Sequence, residues 1–401
     1  MSLEILEVVT KADLKRWVGF PLQHYADQPA YVPQILSEEL SYVNPNKNPA
    51  FEVCDVCFLL AVDGDRIVGR ICAIINTLET EKLGRRRGRF GWFETIDDAE
   101  VATGLLDRAR EWLKRRGCVE MTGPHCFGDL DQEGLLIDSF DEIPTIAGCY
   151  NHPYYQRLVE DYGFIKDTDY LETRFEVGES SPFLDRLSRR NNEETGHRVV
   201  TCPSRKALKA RIGEVWPVLE AAFAPLYGVM PLTPKQTDYY TKKYFGLLDP
   251  DFVKLIYSAE GTLDAFLVGM PNLSNAFRRA RGKLLPTGFW HILKAMRKPE
   301  TVDFLLAGAV PGTAHGLLTA IGVADMMHTL RRRGVRYVES NRQLEDNKTI
   351  HRLWTRFKVV NRRRSRVYRL PLDVAAAGNQ TEMNPIGSVA STVTIRPASR
   401  G

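Results

Sequence analysis

The sequence predicts an α/β protein built from two tandem domains that arose by duplication. The chain has 401 residues, which is longer than one hydrophobic core usually organises. Two segments match each other, EWLKRRGCVEMTG at residues 111–123 and HTLRRRGVRYVES at residues 328–340. Each matching segment occupies the same place in the same order of predicted helices and strands, as expected of an internal repeat.

Each repeated unit begins with a predicted β-hairpin followed by a third strand. An apolar run is broken by an acidic residue and a glycine at positions 63–64, and again at positions 260–261. This pattern is typical of two strands joined by a tight turn. A further apolar strand follows each hairpin, RFGWFETI before Asp97 and VDFLLAGAV before Pro311.

An amphipathic helix is predicted after the third strand of each unit. Apolar residues recur there at three- and four-residue spacing, and basic residues precede the glycines that end the helices, Gly117 and Gly334. The apolar residues are Val101, Leu105, Ala109, Trp112 and Leu113 in the first unit and Leu317, Ile321, Ala324 and Leu330 in the second.

A second helix entering a final strand completes each unit, at residues 154–164 and 347–357. Between the units, residues 176–205 are polar and rich in turn formers, and the end of the chain is small, polar and aperiodic. We therefore expect an N-terminal domain at residues 1–180, a linker at 181–200, a C-terminal domain at 201–373 and a flexible tail at 374–401.

Composition and charge favour a cytoplasmic enzyme or binding protein over other classes. The N-terminus lacks the features of a secretory signal, and no apolar run approaches the roughly 20 residues of a membrane-spanning helix. The net charge of +4 is small and the arginine runs are scattered, so nucleic acid is not an expected partner. Cys54 and Cys57 form a lone CxxC inside a predicted strand, so we expect buried thiols and no metal site.

This order of elements, with GVRYVESNRQLEDNKTIHRLWTRFK in the second unit and YYQRLVEDYGF in the first, resembles the GNAT superfamily of acyl-CoA N-acyltransferases in its bacterial tandem form. The resemblance covers nearly the whole chain twice. It implies two tandem GNAT-like domains, each a mixed, mostly antiparallel central sheet flanked by helices. It also implies an acyl-CoA donor, which lies where the strand before the main helix splays from the next strand.

The resemblance assigns the phosphates of acyl-CoA to the loop before the main helix of the second unit. Orphan amides and the positive end of a helix form an anion site, and glycine allows close approach. The family's basic or Gln residue is missing here, and an ordinary strand-to-helix turn is the alternative. In the first unit, Asp97 and Asp98 would repel a pyrophosphate, so we expect a degenerate site there. The expected cofactor-binding residues are Val310, Gly312, Thr313, Ala314, His315, Gly316, Leu317 and Asn347.

The same resemblance implies candidates for the base and the acid of acyl transfer. Relatives often use a carboxylate on the central strands, for which Glu339 and Glu94 are the candidates, although Glu339 could equally form a salt bridge with nearby arginines. Where relatives often have an acid Tyr, this chain has Trp354. Tyr368 or a water chain would then serve as the acid, or the thiolate would leave unprotonated.

The second unit contains a longer segment, residues 271–302, between its hairpin and the following strand. Within it, Phe289, Ile292, Leu293 and Met296 form an apolar stripe with basic residues beside it. The helix could pack over the sheet, cover an acyl or acceptor channel, or rest peripherally on the anionic inner membrane surface. The expected substrate-binding residues are Phe289, Trp290, Leu293 and Trp354.

The expected function is N-acyl transfer from an acyl-CoA or acyl-carrier thioester to an amine. A long-chain acyl group and a sphingoid base or other lipid amine, as in ceramide-synthase-like proteins, are the preferred substrates, with small amines next. The alternative is a GNAT-fold protein that binds acyl-CoA or a lipid without turnover, because the fold alone does not establish catalysis.

Overall fold

The repeat predicted from the sequence appears in the computed structural model as two sets of strands that join in one continuous sheet. The structure describes residues 3–179, 182, 184–187, 196–312 and 315–372, without the side chain of His315. The predicted tail at 374–401, half of the predicted linker (residues 181, 183 and 188–195), and Thr313 and Ala314 lie outside the described residues.

Each half contributes seven strands, and α-helices connect many of them. The first half comprises β1 Leu3–Glu7, α1 Lys11–His24, α2 Leu36–Tyr42, β2 Cys54–Asp63, β3 Arg66–Asn76, α3 Thr77–Leu83, β4 Arg87–Thr95, α4 Ala99–Arg115, β5 Glu120–Gly123, β6 Leu135–Leu136, α5 Tyr154–Asp161 and β7 Ile165–Glu176. The second half comprises β8 Arg198–Val200, α6 Arg205–Phe223, α7 Pro234–Phe245, β9 Val253–Tyr257, β10 Leu263–Pro271, α8 Ser274–Ala280, α9 Gly288–Arg297, β11 Thr301–Ala309, α10 His315–Arg332, β12 Tyr337–Ser340, β13 Gln343–Leu344, α11 Lys348–Trp354 and β14 Val359–Pro371.

The two halves exchange their last strands at the centre of the sheet. The strand order is β1-β2-β3-β4-β5-β14-β7-β12-β11-β10-β9-β8, with β6 paired to β14 and β13 paired to β7. Strand β14 therefore completes the sheet of the first half beside β5, and β7 completes the sheet of the second half beside β12. The pairs β4 with β5 and β11 with β12 are parallel, and the other pairs are antiparallel. This confirms the mixed, mostly antiparallel sheet.

The two main helices, α4 and α10, pack their predicted apolar stripes against the sheet. In α4, Val101, Leu105, Ala109 and Leu113 are buried with side chains of β2, β3 and β4. In α10, the predicted Ile321, Ala324 and Leu330 are buried as well. Each helix is followed by a glycine in the left-handed region, Gly117 (φ 76°) and Gly334 (φ 69°), a conformation that a glycine adopts without steric cost.

Both thiols of the CxxC pair, Cys54 and Cys57, are buried on β2. In the described parts of the chain, no helix is long and apolar enough to cross a bilayer.

The strand exchange predicts that removal of β14 destabilises both halves. A chain that ends at residue 357 leaves one edge of β5 and one edge of β7 unpaired in the middle of the sheet, and exposed apolar edges promote aggregation. We expect this truncated chain to be insoluble or largely unfolded by circular dichroism. A chain that ends at residue 373 keeps β14 and serves as the control. If the chain ending at 357 retains a cooperatively folded first half in limited proteolysis, the exchange is not needed for folding.

Candidate functional site

The strands β11 and β12 diverge in the second half and leave an opening in the sheet. Their parallel pairing covers only residues 301–304 and 337–340, after which the amide of Asn341 donates to the carbonyl of Phe304 at 3.0 Å. Beyond this point β11 continues to Ala309. The segment after β12 instead turns away into β13, which pairs with β7. The opening is the splayed arrangement that the GNAT resemblance implies.

A bulge in β11 lies at the point of divergence. The register between β10 and β11 shifts so that Val268 faces Leu306 and Gly269 faces Phe304, which leaves Leu305 as the extra residue. A bulge re-aims the backbone of a strand, and such bulges are frequent beside active sites. The carbonyl of Leu305 accepts a hydrogen bond of 3.0 Å from Nδ2 of Asn341, which holds the two diverging segments together at the fork.

A cavity of about 840 Å³ occupies this opening and extends between the two halves. Its volume is in the range of sites that enclose small molecules or cofactors. Strand β11 and helices α6, α7, α10 and α11 contribute most of its wall. The first half also contributes Asp129, Leu130, Glu133, Ala147 and Tyr170.

One end of the cavity lies at the first turns of α10 and α11. Gly316 lines the cavity, and a Cβ at this position would lie 3.4 Å from Cγ2 of Thr349, so the two helices approach closely there. Gly312, with φ of 86°, forms the turn that leads into α10. Arg352 also lines the cavity, one turn after Thr349. A helix N-terminus with a nearby guanidinium is suited to bind phosphate.

The other predicted cofactor residues occupy different positions. Asn347 lines the cavity, and its Oδ1 accepts a hydrogen bond of 3.3 Å from the amide of Ile350, which caps α11. Val310 and Leu317 pack against the apolar cores on either side of the loop. The predicted contributions of Thr313, Ala314 and the side chain of His315 lie outside the described residues.

Trp354 forms part of the cavity wall. Its ring stacks on Phe175 at 5.0 Å between centroids, and its Nε1 donates to Oε1 of Gln343 at 2.7 Å. The side chain is almost fully buried. The indole is therefore held in place by packing on one side and a hydrogen bond on the other.

The cavity continues as an apolar arm between helices α6 and α7 and the strands β10 and β11. The side chains along this arm are aliphatic or aromatic, and few polar groups interrupt them. They are Ile212, Val215, Trp216, Leu219, Phe223, Phe245, Leu248, Leu267 and Val268. Such a wall is suited to a hydrocarbon chain, because transfer of apolar surface out of water is favourable.

Acidic side chains of the first half, Asp129 and Glu133, also line the cavity. Burial, with the negative charge of Glu133 as the next cause, raises the pKa of Asp129 to about 7. Burial alone would raise the pKa of Glu133, but the adjacent side chain of His125, and then the charges of Arg342 and Arg89, hold that pKa below its ordinary value. Nδ1 of His125 lies 3.5 Å from Oε1 of Glu133. We refer to Asp129, Glu133 and His125 as the acidic corner.

The acidic corner is held by contacts from both halves. The amide of Gly128 donates to Oδ2 of Asp131 at 3.0 Å, and the hydroxyl of Tyr240 on α7 donates to the other oxygen at 3.1 Å. Arg342 donates to the carbonyls of Asp131 and Ala147. These bonds tie the loop of the first half to the fork between β11 and β12.

The predictions from sequence missed the acidic corner, although a signal for it is present. Residues 124–134, which include HCFGDLDQEG, separate β5 from β6, whereas only Asn341 and Arg342 separate β12 from β13. The first unit thus carries an insertion with one histidine and three acidic residues at a position where the repeat has a short turn. Insertions at such positions often carry function.

Tyr170 also lines the cavity and had not been predicted. Burial, and then the charge of Glu133 with its hydrogen bond, raise the pKa of Tyr170 far above its ordinary value. Its phenol therefore stays protonated and can donate a hydrogen bond.

The three predicted catalytic residues lie in three separate places. Glu339 lies in the sheet, in register with Asp303 on one side and Arg174 on the other, and it does not line the cavity. Glu94 pairs with Arg70 beside a smaller cavity of about 100 Å³ in the first half. Tyr368 lies on β14 beside β5, and its hydroxyl donates to the carboxylate of Glu160 at 3.0 Å.

The predicted substrate residues on α9 are also separate from the cavity. Phe289 and Trp290 are exposed on the surface, and Leu293 is partly buried. Of the predicted substrate-binding residues, Trp354 alone lines the cavity.

The corresponding opening in the first half is smaller, with a cavity of about 100 Å³, and tyrosine side chains bond to its backbone. Strands β4 and β5 also diverge, after the amide of His125 donates to the carbonyl of Phe90 at 2.7 Å. At the far end of β4, the amide of Thr95 donates to the hydroxyl of Tyr155 at 2.8 Å, and the hydroxyl of Tyr154 donates to the carbonyl of Thr95 at 2.7 Å.

The N-terminus of α4 is likewise bound by the protein itself. The carboxylate of Asp98 accepts hydrogen bonds from the amides of Glu100 and Val101, at 2.8 and 3.3 Å. These amides are the donors that a helix N-terminus offers to an anion.

Within the described ranges, no three His, Cys, Asp or Glu side chains come together in a way that could hold a metal ion.

Comparison with known proteins agrees with this architecture, although no protein-family model matches the chain. The chain is 29% identical over 289 residues to Protein YghO of Escherichia coli (strain K12), which covers 71% of this chain and 72% of that protein. It is 28% identical over 296 residues to a bacterial ceramide synthase of Caulobacter vibrioides (strain NA1000 / CB15N), which covers 73% of this chain and 76% of that protein.

Among solved structures, the chain is similar to a tandem GNAT protein from the clavulanic acid biosynthesis pathway, determined without acetyl-CoA. The match has a TM-score of 0.53 and 13% identity, and it covers 92% of this chain and 99% of that chain. The chain therefore has the tandem GNAT fold, as its sequence predicted.

The position of Glu339 predicts a pH-dependent effect on stability. Burial, and next the charge of Glu172, raise the pKa of Glu339 from its ordinary 4.5 to about 7. Between these values the folded state holds a proton that the unfolded state has lost, so the stability of the natural protein falls as the pH rises. Glu339→Gln removes this loss. We expect the free energy of unfolding of the variant, relative to the natural protein, to rise by about 1–3 kcal/mol between about pH 5 and pH 8 in urea titrations.

Glu300→Gln is the comparison for this measurement, because Glu300 lies on the surface in a pair with Arg336. If Glu339→Gln changes the free energy of unfolding by the same amount at about pH 5 and at about pH 8, Glu339 is ionised in the folded protein at both values.

Proposed function

We propose that the protein is an N-acyltransferase that transfers an acyl group from an acyl-CoA or acyl-carrier thioester to an amine. One observation carries the proposal: a single cavity joins the fork between β11 and β12, the N-terminal turn of α10 and the acidic corner. An anionic thioester donor fits the first two features, and a cationic amine fits the third. Both reactants would therefore meet in one enclosed space, which is a large part of what an acyltransferase must supply.

The donor site lies on the second half. The phosphates bind at the first turn of α10, where Gly312 and Gly316 permit close approach and Arg352 adds a positive charge. Asn347 stands at the cavity wall, where its amide can hold the pantetheine arm. The backbone of β11 beyond Phe304 lines the cavity, and its amides are the candidates for binding the oxyanion of the tetrahedral intermediate.

Asp129 is the proposed general base. An amine must lose its proton to form the amide, and a carboxylate with a pKa of about 7 accepts a proton readily near neutral pH. Glu133, which stays ionised beside His125, attracts the ammonium form of the acceptor. The ammonium first releases one proton to water, and the neutral nitrogen then bonds to the acyl carbon. The carbon–sulfur bond breaks, the sulfur leaves as a thiolate, and the second nitrogen proton passes to Asp129.

The apolar arm between α6 and α7 supports a long-chain substrate. Its wall of aliphatic and aromatic side chains has no role in binding acetyl-CoA and a small amine, and a hydrocarbon chain would fill it. The relative from Caulobacter is named a bacterial ceramide synthase. We therefore propose a long-chain acyl group as the donor and a sphingoid base or a similar lipid amine as the acceptor.

The first half binds no acyl-CoA in this proposal. Tyr154 and Tyr155 bond to the backbone of Thr95, and Asp98 bonds to the amides of α4, so its opening has few free donors. The first half contributes instead to the acceptor side of the cavity, through the acidic corner.

A second candidate function is binding of an acyl thioester or lipid without turnover. The buried, hydrogen-bonded Trp354 favours it, because an indole at that position supplies no acid for the leaving thiolate. The two functions differ in whether product accumulates with time when the protein is supplied with long-chain acyl-CoA and sphingosine.

The role of Asp129 predicts a defined loss of activity. We expect Asp129→Asn to lower kcat by about 10²–10⁴-fold, because the base is lost, while the affinity for the acyl thioester is unchanged. In the natural protein, kcat should rise with pH until about pH 7, where Asp129 becomes ionised, and then level off. Product formation by mass spectrometry and thioester binding by calorimetry measure the two quantities.

Asp97→Asn is the matched control, since Asp97 lies on the surface in a pair with Arg157. If Asp129→Asn is as active as the natural protein and Glu339→Gln is inactive, the base is Glu339. If no amine is acylated although the thioester binds, the protein has the second function.

The phosphate site predicts a substrate-dependent effect of Arg352. We expect Arg352→Ala to raise the KM for acyl-CoA by about tenfold, which corresponds to about 1.4 kcal/mol, with little change in kcat. The same variant should use an acyl-N-acetylcysteamine thioester, which has no phosphate, as well as the natural protein does. An equal loss with both thioesters would exclude a phosphate-binding role.

A further inference from the structure

Helices α8 and α9 form a hairpin whose tip presents large apolar side chains to solvent. Leu284, Leu285, Phe289 and Trp290 are all exposed. Among the large apolar side chains that the structure describes, Leu285 at 74% and Trp290 at 66% are the most exposed. We refer to these four residues as the apolar wedge. Isolated exposed leucines are common, but four such residues within seven positions are a feature that calls for a partner.

Only basic charges surround the apolar wedge in sequence. No acidic residue occurs between Asp264 and Glu300. Seven lysines and arginines lie in this interval. Arg278 is partly exposed, and the side chains of the other six are exposed. In the described structure none of the seven forms an ion pair with an acidic side chain. They are Arg278, Arg279, Arg281, Lys283, Lys294, Arg297 and Lys298.

The hairpin is fixed to the body of the protein by its other side. Leu273, Ala276 and Ile292 form a small core against Ile146 of the first half and Leu247 of the second. The carbonyl of Gly282, at the tip of the hairpin, accepts a hydrogen bond of 2.9 Å from the amide of Leu36. The buried face is therefore already used, and the apolar wedge remains outside.

The same contacts place the hairpin against the wall of the cavity. Ile146 and Leu247, which touch the hairpin, are followed in the chain by Ala147 and Leu248, which line the cavity. The hairpin therefore packs against residues that are adjacent in the chain to the cavity wall.

We propose that the hairpin docks the protein on the surface of an anionic lipid bilayer. The apolar wedge enters the boundary between headgroups and acyl chains, a depth at which tryptophan is favoured. The seven basic residues contact the lipid phosphates, each adding attraction near a negatively charged surface. Docking needs neither a bound thioester nor turnover, so this inference is independent of the proposed function.

A second copy of the chain could also cover the apolar wedge, but the charge of the surrounding residues argues against it. A symmetric dimer through this surface would bring two sets of seven positive charges together, because the same patch meets itself across a twofold axis. Like charges placed opposite each other disfavour an interface. A bilayer with negative headgroups complements both the charge and the apolar character of the hairpin.

Sedimentation with lipid vesicles tests the proposal. We expect the full chain to bind vesicles of phosphatidylcholine with about 30% phosphatidylglycerol at least about tenfold more tightly than vesicles of phosphatidylcholine alone. Binding to the anionic vesicles should weaken by about fivefold or more when the salt is raised from about 0.1 to 0.5 M. Equal binding to both kinds of vesicle, or binding to neither, would overturn the proposal.

Two sets of variants separate the apolar and the charged contributions. Leu285→Ser with Trp290→Ser removes the most exposed apolar side chains, and Lys283→Glu with Lys294→Glu and Lys298→Glu reverses three charges. We expect each set to weaken binding to anionic vesicles by at least about tenfold, with unchanged circular dichroism and thermal unfolding.

Matched controls change the same residue types elsewhere on the surface. Val9→Ser with Val360→Ser alters exposed apolar residues, and Lys114→Glu with Lys206→Glu and Lys209→Glu alters exposed charges. Control variants should bind like the natural protein. Hairpin variants that also bind like the natural protein would refute the assignment to this surface.

Fluorescence and solution mass provide a further check on the occupant. A blue shift of tryptophan emission on binding to anionic vesicles should be reduced in Trp290→Phe, which keeps an apolar side chain and should still sediment. If the natural protein is a dimer that Leu285→Ser with Trp290→Ser converts to a monomer, and vesicles do not bind, a second copy covers the apolar wedge and the membrane proposal is wrong.

Discussion

The antiparallel pairing of β7 with β14 is the interaction on which the arrangement of the site depends. These two strands lie side by side over residues 165–175 and 359–369, at the centre of the sheet. Because each strand completes the sheet of the other half, neither half can turn away from the other without breaking this ladder. Two short strands pair with this central ladder. Strand β13 pairs with β7 at Tyr170 and Leu171, and β6, which directly follows the acidic corner, pairs with β14. Groups from the first half are thereby held at the cavity of the second.

Duplication has left two openings with the same origin and different contents. In both halves a parallel pair ends, a backbone amide bonds across the fork, and the strand before the main helix continues alone. In the first half, Tyr154, Tyr155 and Asp98 satisfy backbone groups that would otherwise need a ligand or water. In the second half the corresponding space is the large cavity. The difference lies in a few polar side chains, while the backbone frame is the same.

The sequence was sufficient to predict what local patterns determine. The hairpins, the stripes of α4 and α10 and the glycines after them depend on neighbours within a few positions. The strand exchange was not predicted, because β14 has the same alternating pattern whichever half it joins. Glu339 was chosen from its place in a strand, but cavity-lining groups depend on side-chain direction and on distant segments, and Glu339 lies among Glu172, Arg174 and Arg363 instead. The acidic corner required knowledge that a loop of the first half reaches the second.

The charges along the cavity give it a direction. The end near Gly316 has the positive pole of α10 and the guanidinium of Arg352, and the end near Glu133 has a buried carboxylate that stays ionised. In the proposed function, the phosphates of the donor bind near Gly316 and the ammonium group of the acceptor binds near Glu133, whose charge Arg342 partly offsets. Little water screens charges in an enclosed space, so these two positions would fix the relative orientation of donor and acceptor.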